Sequence, residues 1–492
     1  MQPLEGLDAA FLAMETGNAH LHVAAVLVLE PPEGRRSLFS PSTRFSQVRR
    51  LVEQRVHLVP QLRRRVVQVP FGLQRPAWVD DPEFDVDDHV RRVRLPEPGG
   101  MAELEELVAD EVARPLDLTR PLWEIVVVEG LSEDRLALVA KLHHAVLDGI
   151  SGASLLGAFL DLDPRGRPVP LPGQSWDPDP VPGVRSVLTH AASTVARTPE
   201  ALVATFQRGV DTLVDVAGHN QRLAERGSVP PPAPFSAPRS SLNGTVSSRR
   251  HYVTTSVSLD RARQVARTLG VTVNDLLLAG VAGALRQKME QSGEDPGQSL
   301  VALVPVSTRS RSPRRRTTAG ASGSGSVDLG NRISGMLVSL STDVDDPVDR
   351  LQAVATATAV AKEQERLTGG RLLSDVAQLL PPAVMSRLAR WVTAPVLGRG
   401  LRPVCNVVVS SLPGPHARLW CAGSRVSAVY PVGPVAAGVG LNVTCMTYQG
   451  VGYIGLLACR RLVPDLRELG SMLDDSLGEL AKAAAELEGA VG

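Results

Sequence analysis

One short stretch constrains the fold more than any other part of the chain. Residues 136–142 are almost entirely apolar, which is typical of a largely buried β-strand. Two histidines, His143 and His144, stand at the end of this run, and Asp148 and Gly149 follow before a helix-like segment begins. This order of residue types predicts a strand, a tight turn and a helix.

The two histidines cannot share one role, because adjacent residues of a strand point to opposite faces. A histidine at the mouth of such a turn can face a cleft, and its ordinary pKa near neutrality suits a general base. Asp148 can accept hydrogen bonds that hold the turn, and Gly149 permits a positive φ or a close backbone approach. Taken singly, these residues also fit packed core histidines and an ordinary Asp-Gly turn. Their combination favours a functional site.

Proline-rich stretches divide the chain, whose 492 residues are enough for two to four domains. We predict linkers at residues 164–183 and 228–241 from their proline content. The predicted division is an N-terminal domain, a linker with a helical segment, and a C-terminal domain, at residues 1–170, 171–244 and 245–485. A basic stretch followed by Gly and Ser predicts a disordered loop inside the C-terminal domain, at about residues 310–328.

Strand-like and helix-like segments are mixed along both predicted domains. Strands are predicted at residues 23–29, 123–129, 136–142, 301–306, 335–340, 404–410 and 453–458. Helices are predicted at residues 152–160, 274–287, 348–365 and 466–487. The mixture predicts an α/β class, layered in the α+β manner, with two similar-sized units around a central cleft that suits a ligand site.

Charge and cysteine content argue against two classes of function. The chain has 52 basic and 52 acidic side chains, whereas a dedicated nucleic-acid binder usually carries a strong basic excess. We therefore expect no nucleic-acid partner. The cysteines have no zinc-finger or C-x-x-C spacing, so we expect reduced core residues and no metal site. They are Cys405, Cys421, Cys445 and Cys459.

The sequence predicts a cytoplasmic protein whose membrane contact is at most peripheral. No secretory signal pattern opens the chain, and no run of 18 apolar residues occurs. Residues 371–402 interleave Leu, Val and Trp with Arg. Amphipathic helices of this composition bind anionic lipid surfaces, although an ordinary surface helix fits the pattern equally well.

Asn274 and Asp275 follow Val273 at the predicted start of a helix. Asn and Asp favour capping and first-turn positions, where they satisfy backbone N–H groups. The functional alternative places Asn274 near the active site as a hydrogen-bond donor, with Asp275 in support. The residues alone leave both interpretations open.

The histidine segment matches H-H-x-x-x-D-G, the signature of the CoA-dependent acyltransferase superfamily. That group includes chloramphenicol acetyltransferase and the condensation domains of non-ribosomal peptide synthetases. Over nearly its whole length the chain resembles more closely the bacterial wax ester synthase/diacylglycerol acyltransferase (WS/DGAT) family. The matching segments are Leu7-Asp8-Ala9-Ala10-Phe11-Leu12, His22-Val23, Pro121-Leu122-Trp123-Glu124, Val273-Asn274-Asp275, Val304-Pro305-Val306-Ser307, Gly330-Asn331-Arg332, Val409-Ser410-Ser411-Leu412-Pro413-Gly414-Pro415 and Leu462-Val463-Pro464-Asp465.

The chain departs from this family at three places. The family usually has Asn where Ser411 stands and Asp-Arg where Cys459-Arg460 stands, and the loop at 310–328 looks like an insertion. None of these touches the histidine motif. They bear instead on substrate choice and on one structural hydrogen bond.

The resemblance implies two chloramphenicol-acetyltransferase-like domains with the active site in a tunnel between them. It implies His144 as the general base, His143 as a more often structural neighbour, and Asp148 with Gly149 as the residues that hold the loop. No acyl-enzyme is implied, which agrees with the lack of a G-x-S-x-G elbow. Acyl-CoA is implied as a co-substrate, with no further cofactor. The CoA contacts and the oxyanion donor stay unassigned.

The implied activity is transfer of a long-chain acyl group to diacylglycerol, giving triacylglycerol, or to a fatty alcohol, giving a wax ester. The implied location is the inner face of the plasma membrane or a lipid-droplet surface. Two alternatives stay open. One is a condensation-type enzyme with another acceptor or a carrier-bound donor, and the other is a non-catalytic protein of lipid surfaces.

Overall fold

The computed structural model of this chain describes residues 2–31, 41–68, 75–148, 152–170, 178, 218–223, 225, 229–307, 333–368 and 402–491. The predicted loop at 310–328 lies outside these residues. So do nearly all of the predicted lipid-surface segment at 371–402 and most of the helical segment predicted within 171–244.

The strands, in chain order, are β1 (Gln2–Pro3), β2 (His22–Leu29), β3 (Arg64–Val67), β4 (Ala77–Asp80), β5 (Val90–Arg94), β6 (Trp123–Glu129), β7 (Leu136–His143), β8 (Arg250–Ser258), β9 (Val301–Ser307), β10 (Ile333–Ser339), β11 (Val407–Leu412), β12 (Trp420–Cys421), β13 (Ser424–Val432), β14 (Leu441–Tyr448) and β15 (Val451–Cys459). The helices are α1 (Gly6–Met14), α2 (Pro41–Arg55), α3 (Met101–Ala113), α4 (Gly152–Phe159), α5 (Leu259–Thr268), α6 (Val273–Ser292), α7 (Pro347–Thr368) and α8 (Leu466–Val491).

The N-terminal sheet has six strands in the order β12-β13-β2-β7-β6-β5. Strand β7 lies inside it and pairs antiparallel with β2 on one side and with β6 on the other. Consecutive residues Ala137, Leu138 and Val139 are all buried, because both faces of the sheet are covered. Helix α3 lies over one face, where Nζ of Lys141 donates to the Glu111 carbonyl at 3.1 Å.

The C-terminal sheet also has six strands, in the order β10-β9-β11-β14-β15-β8. It is mixed, because β11 runs parallel to both β9 and β14. Helices α6 and α8 pack tightly beside it. A Cβ at Gly283 of α6 would lie 2.1 Å from Oγ of Ser476 in α8, so only glycine permits this helix approach. A third, three-stranded sheet has the order β1-β4-β3.

The two layered units confirm the predicted α/β class. In contrast, the predicted domain boundaries do not match the strand content of the two six-stranded sheets in one place. Strands β12 and β13 fall within the predicted C-terminal domain, yet they complete the N-terminal sheet, where Val432 pairs with Ala24 and Tyr430 with Val26. The residue pattern of a strand does not identify the strand with which it pairs.

The predicted linker ends in ordered structure. Ala237 and Leu242 are buried, and Nδ2 of Asn243 donates to the carbonyls of Cys405 and Gly438 at 3.0 and 2.9 Å. The buried amide of Asn406 joins the same network by donating to Oδ1 of Asn243 at 2.7 Å. The end of the linker is therefore fastened to the C-terminal unit by satisfied buried polar groups.

The two units meet along β13 of the N-terminal sheet. The hydroxyls of Tyr252 and Tyr453 donate to the carbonyls of Pro431 and Ser427, at 3.1 and 2.9 Å. A Cβ at Gly455 would lie only 2.0 Å from the carbonyl oxygen of Pro431. Two hydroxyls and one glycine thus set a close backbone approach between the sheets.

Within the described ranges, no single helix is long and apolar enough to cross a membrane. Helices α5 and α6 pass that test only when taken together, and they are bent by 93° at the break between them.

Candidate active site

The two histidines of the motif lie where β7 ends between its two neighbours. The backbone N–H of His143 donates to the carbonyl of Leu122, just before β6, at 3.0 Å. The N–H of His144 donates to the carbonyl of Leu21, just before β2, at 2.9 Å. Each histidine is thus fixed by a different neighbouring strand.

His143 is fully buried, and both of its ring nitrogens have neighbours. Nδ1 accepts the backbone N–H of Ala145 at 3.0 Å. Because Nδ1 is an acceptor, a neutral ring carries its proton on Nε2. That nitrogen lies 3.2 Å from Oε1 of Glu15. His143 therefore connects a carboxylate to the turn that follows it.

Glu15 comes directly after α1, and it belongs to none of the motifs selected from the sequence. Its Oε1 accepts the N–H of Leu21 at 3.0 Å and lies 3.7 Å from Nε2 of His22. Burial by itself would raise the pKa of this carboxyl. The contact with the His143 ring and the N–H of Leu21 outweigh burial and leave the pKa of this carboxyl below its usual value. Glu15 is therefore ionised at neutral pH.

His144 has the properties of a neutral base. Its ring packs on Phe11 of α1 with the centroids 4.2 Å apart. Burial, followed by the electrostatic influence of the neighbouring His143, lowers its pKa to about 4. Nδ1 is buried without a hydrogen-bond partner in the part of the chain that is described. At neutral pH the ring is thus uncharged and available to accept a proton.

Two further histidines stand beside Glu15. His22 pairs with His143 across β2 and β7, and its ring stacks on that of His20 at 5.2 Å. Burial and the nearby charge of Lys141 lower the pKa of His22 to about 2. Glu15, His20 and His22 each place one potential ligand atom within 4.8 Å of the others, so this trio has the donor types of a divalent metal site. The expectation of no metal stays a prediction.

The turn that carries the motif is a 3-10 turn, His144–Asp148, and α1 packs against it. Asp148 is its last residue, and Gly149 lies outside the described residues. Their loop-holding roles stay predictions. Trp123 of the P-L-W element is structural, since its indole N–H donates to the carbonyl of Leu62 at 2.7 Å and its ring stacks on His89.

Asp275 caps helix α6. Its carboxylate accepts the N–H of Thr272 at 3.0 Å and the Thr272 hydroxyl at 2.6 Å, and its own N–H donates to Oγ1 of Thr272. This reciprocal pair is a capping box, and it supports the capping interpretation of Asp275. Asn274 is half-buried in the first turn, and its proposed donor role stays a prediction.

The departure at Cys459 keeps a hydrogen-bond acceptor. The buried sulfur accepts the N–H of Ser247 at 3.2 Å and lies 3.3 Å from its hydroxyl. Burial raises the pKa of this thiol, but the bonds from Ser247 outweigh burial and leave it below its usual value. Cys459 therefore holds Ser247 through its sulfur. All four cysteines are buried and unpaired.

Comparison with known proteins identifies relatives over nearly the whole chain. Residues 4–277 match the wax ester synthase/diacylglycerol acyltransferase catalytic domain, and residues 329–481 match the WS/DGAT C-terminal domain. A Mycobacterium tuberculosis protein named as a candidate diacylglycerol O-acyltransferase is 37% identical over 453 residues, which cover 91% of this chain and 90% of that protein.

Solved structures give the same picture. The wax ester synthase/diacylglycerol acyltransferase of Marinobacter aquaeolei VT8 is similar with a TM-score of 0.69 and 26% identity, over 99% of this chain and all of that one. The trichothecene 15-O-acetyltransferase of Fusarium sporotrichioides shares the fold, with a TM-score of 0.56 and 11% identity over 98% of this chain and 94% of that one.

Proposed function

This chain belongs to the wax ester synthase/diacylglycerol acyltransferase family, and from that membership we propose that it transfers long-chain acyl groups from acyl-CoA to diacylglycerol. Fatty alcohols are the second acceptor class of the proposal. The observation that carries it is the uncharged, desolvated His144 at the end of β7. Such a ring can accept a hydroxyl proton at neutral pH.

The proposed chemistry needs a base because an alcohol is a poor nucleophile at neutral pH. Nε2 of His144 accepts the hydroxyl proton while the alcohol oxygen forms a bond to the thioester carbonyl carbon. The carbonyl π electrons move to oxygen and give a tetrahedral oxyanion, which needs a hydrogen-bond donor.

The oxyanion then collapses. The carbonyl re-forms, the C–S bond breaks, and coenzyme A leaves as a thiolate that takes the proton back from His144. The ester is released and the ring is neutral again. His144 alone carries the proton from the alcohol to the leaving thiolate. The acyl group passes directly from coenzyme A to the alcohol, so no covalent enzyme intermediate is required.

The decisive experiment measures ester formation by the purified full-length protein from radiolabelled palmitoyl-CoA and diacylglycerol. We expect triacylglycerol from the native protein and a decrease in kcat of about 10²- to 10⁴-fold for His144→Ala. Equal rates for the two proteins would exclude His144 as the base. Activity with carrier-bound thioesters but not with CoA thioesters would favour a condensation-type enzyme.

The acceptor is tested by comparing diacylglycerol, hexadecanol and short alcohols against one acyl donor. Peripheral membrane or lipid-droplet attachment is a further part of the proposal, and it is supported by the apolar nature of diacylglycerol. Flotation of the full-length protein with anionic vesicles tests it. Protein that stays in the aqueous fraction with and without diacylglycerol would contradict attachment.

A further inference from the structure

We propose that Glu15 is a positioning residue, which acts on His144 through the ring of His143. This inference rests on the proposed function, because it assigns a role in the same proton transfer. The carboxylate lies on one side of His143, and the turn that bears His144 lies on the other.

The first step is the choice of tautomer. Nε2 of His143 lies 3.2 Å from Oε1 of the ionised Glu15, at an angle outside hydrogen-bond geometry, so the carboxylate favours a proton on Nε2 through its charge. A proton on Nε2 leaves a lone pair on Nδ1, and that lone pair accepts the N–H of Ala145 at 3.0 Å. In the opposite tautomer the proton is on Nδ1, and this N–H would face the N–H of Ala145. Neither group would have an acceptor, because His143 is fully buried.

The second step is the geometry of the turn. Ala145 follows His144 directly. The hydrogen bond from the Ala145 N–H to Nδ1 of His143 therefore fixes the orientation of the His144–Ala145 peptide bond. On the other side, Leu21 accepts the N–H of His144 with its carbonyl and donates its own N–H to Oε1 of Glu15. One carboxylate thus supports the backbone on both sides of His144. A displacement of about 1 Å in a catalytic group can cost about 10²-fold in rate.

The test compares two substitutions of Glu15. Glu15→Gln keeps an oxygen for the Leu21 N–H but loses the charge that selects the tautomer. Glu15→Leu loses both. We expect kcat to fall about 10-fold for Glu15→Gln and about 100-fold for Glu15→Leu, with KM for acyl-CoA changed less than about threefold. A rise in KM at constant kcat would overturn the proposal.

A double-mutant cycle separates positioning from a merely structural role. In His143→Asn the side-chain oxygen stands where Nδ1 stood and can accept the Ala145 N–H without help from Glu15. In that background we expect Glu15→Gln to change kcat less than about twofold. An equal loss in both backgrounds would show that Glu15 does not act through His143.

Two controls address the alternatives. Glu124→Gln removes another carboxylate beside β7, the partner of Lys141 at 3.0 Å, and we expect kcat within about twofold of native. A comparable loss there would attribute the Glu15 effect to general destabilisation. Because Glu15 also belongs to the trio with His20 and His22, EDTA treatment should leave kcat unchanged. A loss that zinc restores would make Glu15 a metal ligand instead.

One readout is independent of activity. Nitrogen NMR of protein labelled with ¹⁵N-histidine, with His143→Asn to assign the signal, reports which ring nitrogen of His143 carries the proton. We expect Nε2–H in the native protein and a detectable Nδ1–H population in Glu15→Gln. If no ester were formed, the proposed function would fail while this measurement still tested the Glu15–His143 pair. Nδ1–H in the native protein would refute that pair.

Discussion

At the scale of single residues, the charge state of His144 controls the proposed reaction. The ring must be neutral to accept a proton, and its pKa is lowered to about 4 mainly by burial. Protonation of the ring therefore begins to limit the reaction only at pH values well below those that would protonate a solvent-exposed histidine.

We predict a kcat/KM profile that is level between about pH 7 and pH 5 and falls as the pH drops through about 4. The sign follows from the base, since activity is present when the ring is unprotonated and is lost when it binds a proton. The measurement is kcat/KM in overlapping buffers, with His144→Ala as the control that should lack this limb. A single acid limb near pH 6.5 would show that the ring is not desolvated in the free enzyme.

At the residue scale, the sequence selected His143 and His144, whose catalytic roles stay predictions, and did not select Glu15. Strand alternation predicts different surroundings for the two histidines, and the structure places the ring of His143 beside Glu15 and the ring of His144 on Phe11. Glu15 reaches His143 because the chain turns between α1 and β2, and that path depends on packing rather than on spacing. The only sequence clue was the close placement of His20 and His22 a few residues later.

At the scale of helices and strands, local patterns predicted most of the elements near the site. The strand predicted at residues 123–129 is the observed β6, and the one predicted at 136–142 extends by one residue, to His143. These strands have continuous apolar runs with clear ends. Strands β13 and β14 were missed, because their Pro, Ser, Asn and Thr residues weaken the apolar pattern.

The capping box of α6 gives a prediction at the same scale. Thr272→Ala removes one half of the box and should lower the free energy of unfolding by about 1 kcal/mol. Thr272→Ser keeps the hydroxyl and serves as the matched control. Urea denaturation followed by circular dichroism measures both.

The kcat of Thr272→Ala should equal that of the native protein, because Thr272 and Asp275 cap the N-terminus of α6 and take no part in the reaction. A large loss of kcat in folded Thr272→Ala would instead support the alternative in which the Asn274-Asp275 pair acts at the active site.

At the scale of the whole molecule, the approach of the two sheets at Gly455 tests how the units are held together. Gly455→Ala would place a methyl group 2.0 Å from the Pro431 carbonyl oxygen, so the sheets must separate. We predict a loss of about 1–3 kcal/mol in unfolding free energy, measured by denaturant titration.

Gly478→Ala is the matched control, because a Cβ at that position of α8 meets no atom within 4 Å. It should leave the stability unchanged or raise it by up to about 1 kcal/mol. If Gly455→Ala were as stable as Gly478→Ala, the close approach would not contribute to the interface.

Long-range pairing is what the sequence could not predict at this scale. The α/β class follows from the mixture of elements, and the two units follow from the proline-rich stretches. The return of β12 and β13 to the first sheet does not, because each pairs through backbone groups that all residues except proline share. The choice of β2 as partner depends on the packing of both sheets.

The returning strand has a consequence for synthesis on the ribosome. The chain emerges from its N-terminus, and the edge of β2 that pairs with Ser424–Val432 has no partner until Val432 has left the exit tunnel. An unpaired sheet edge is a template for aggregation. Nascent chains that stall before this point, or fragments cut at the linker, should therefore need chaperones to remain dispersed, whereas the finished chain supplies its own protective strand.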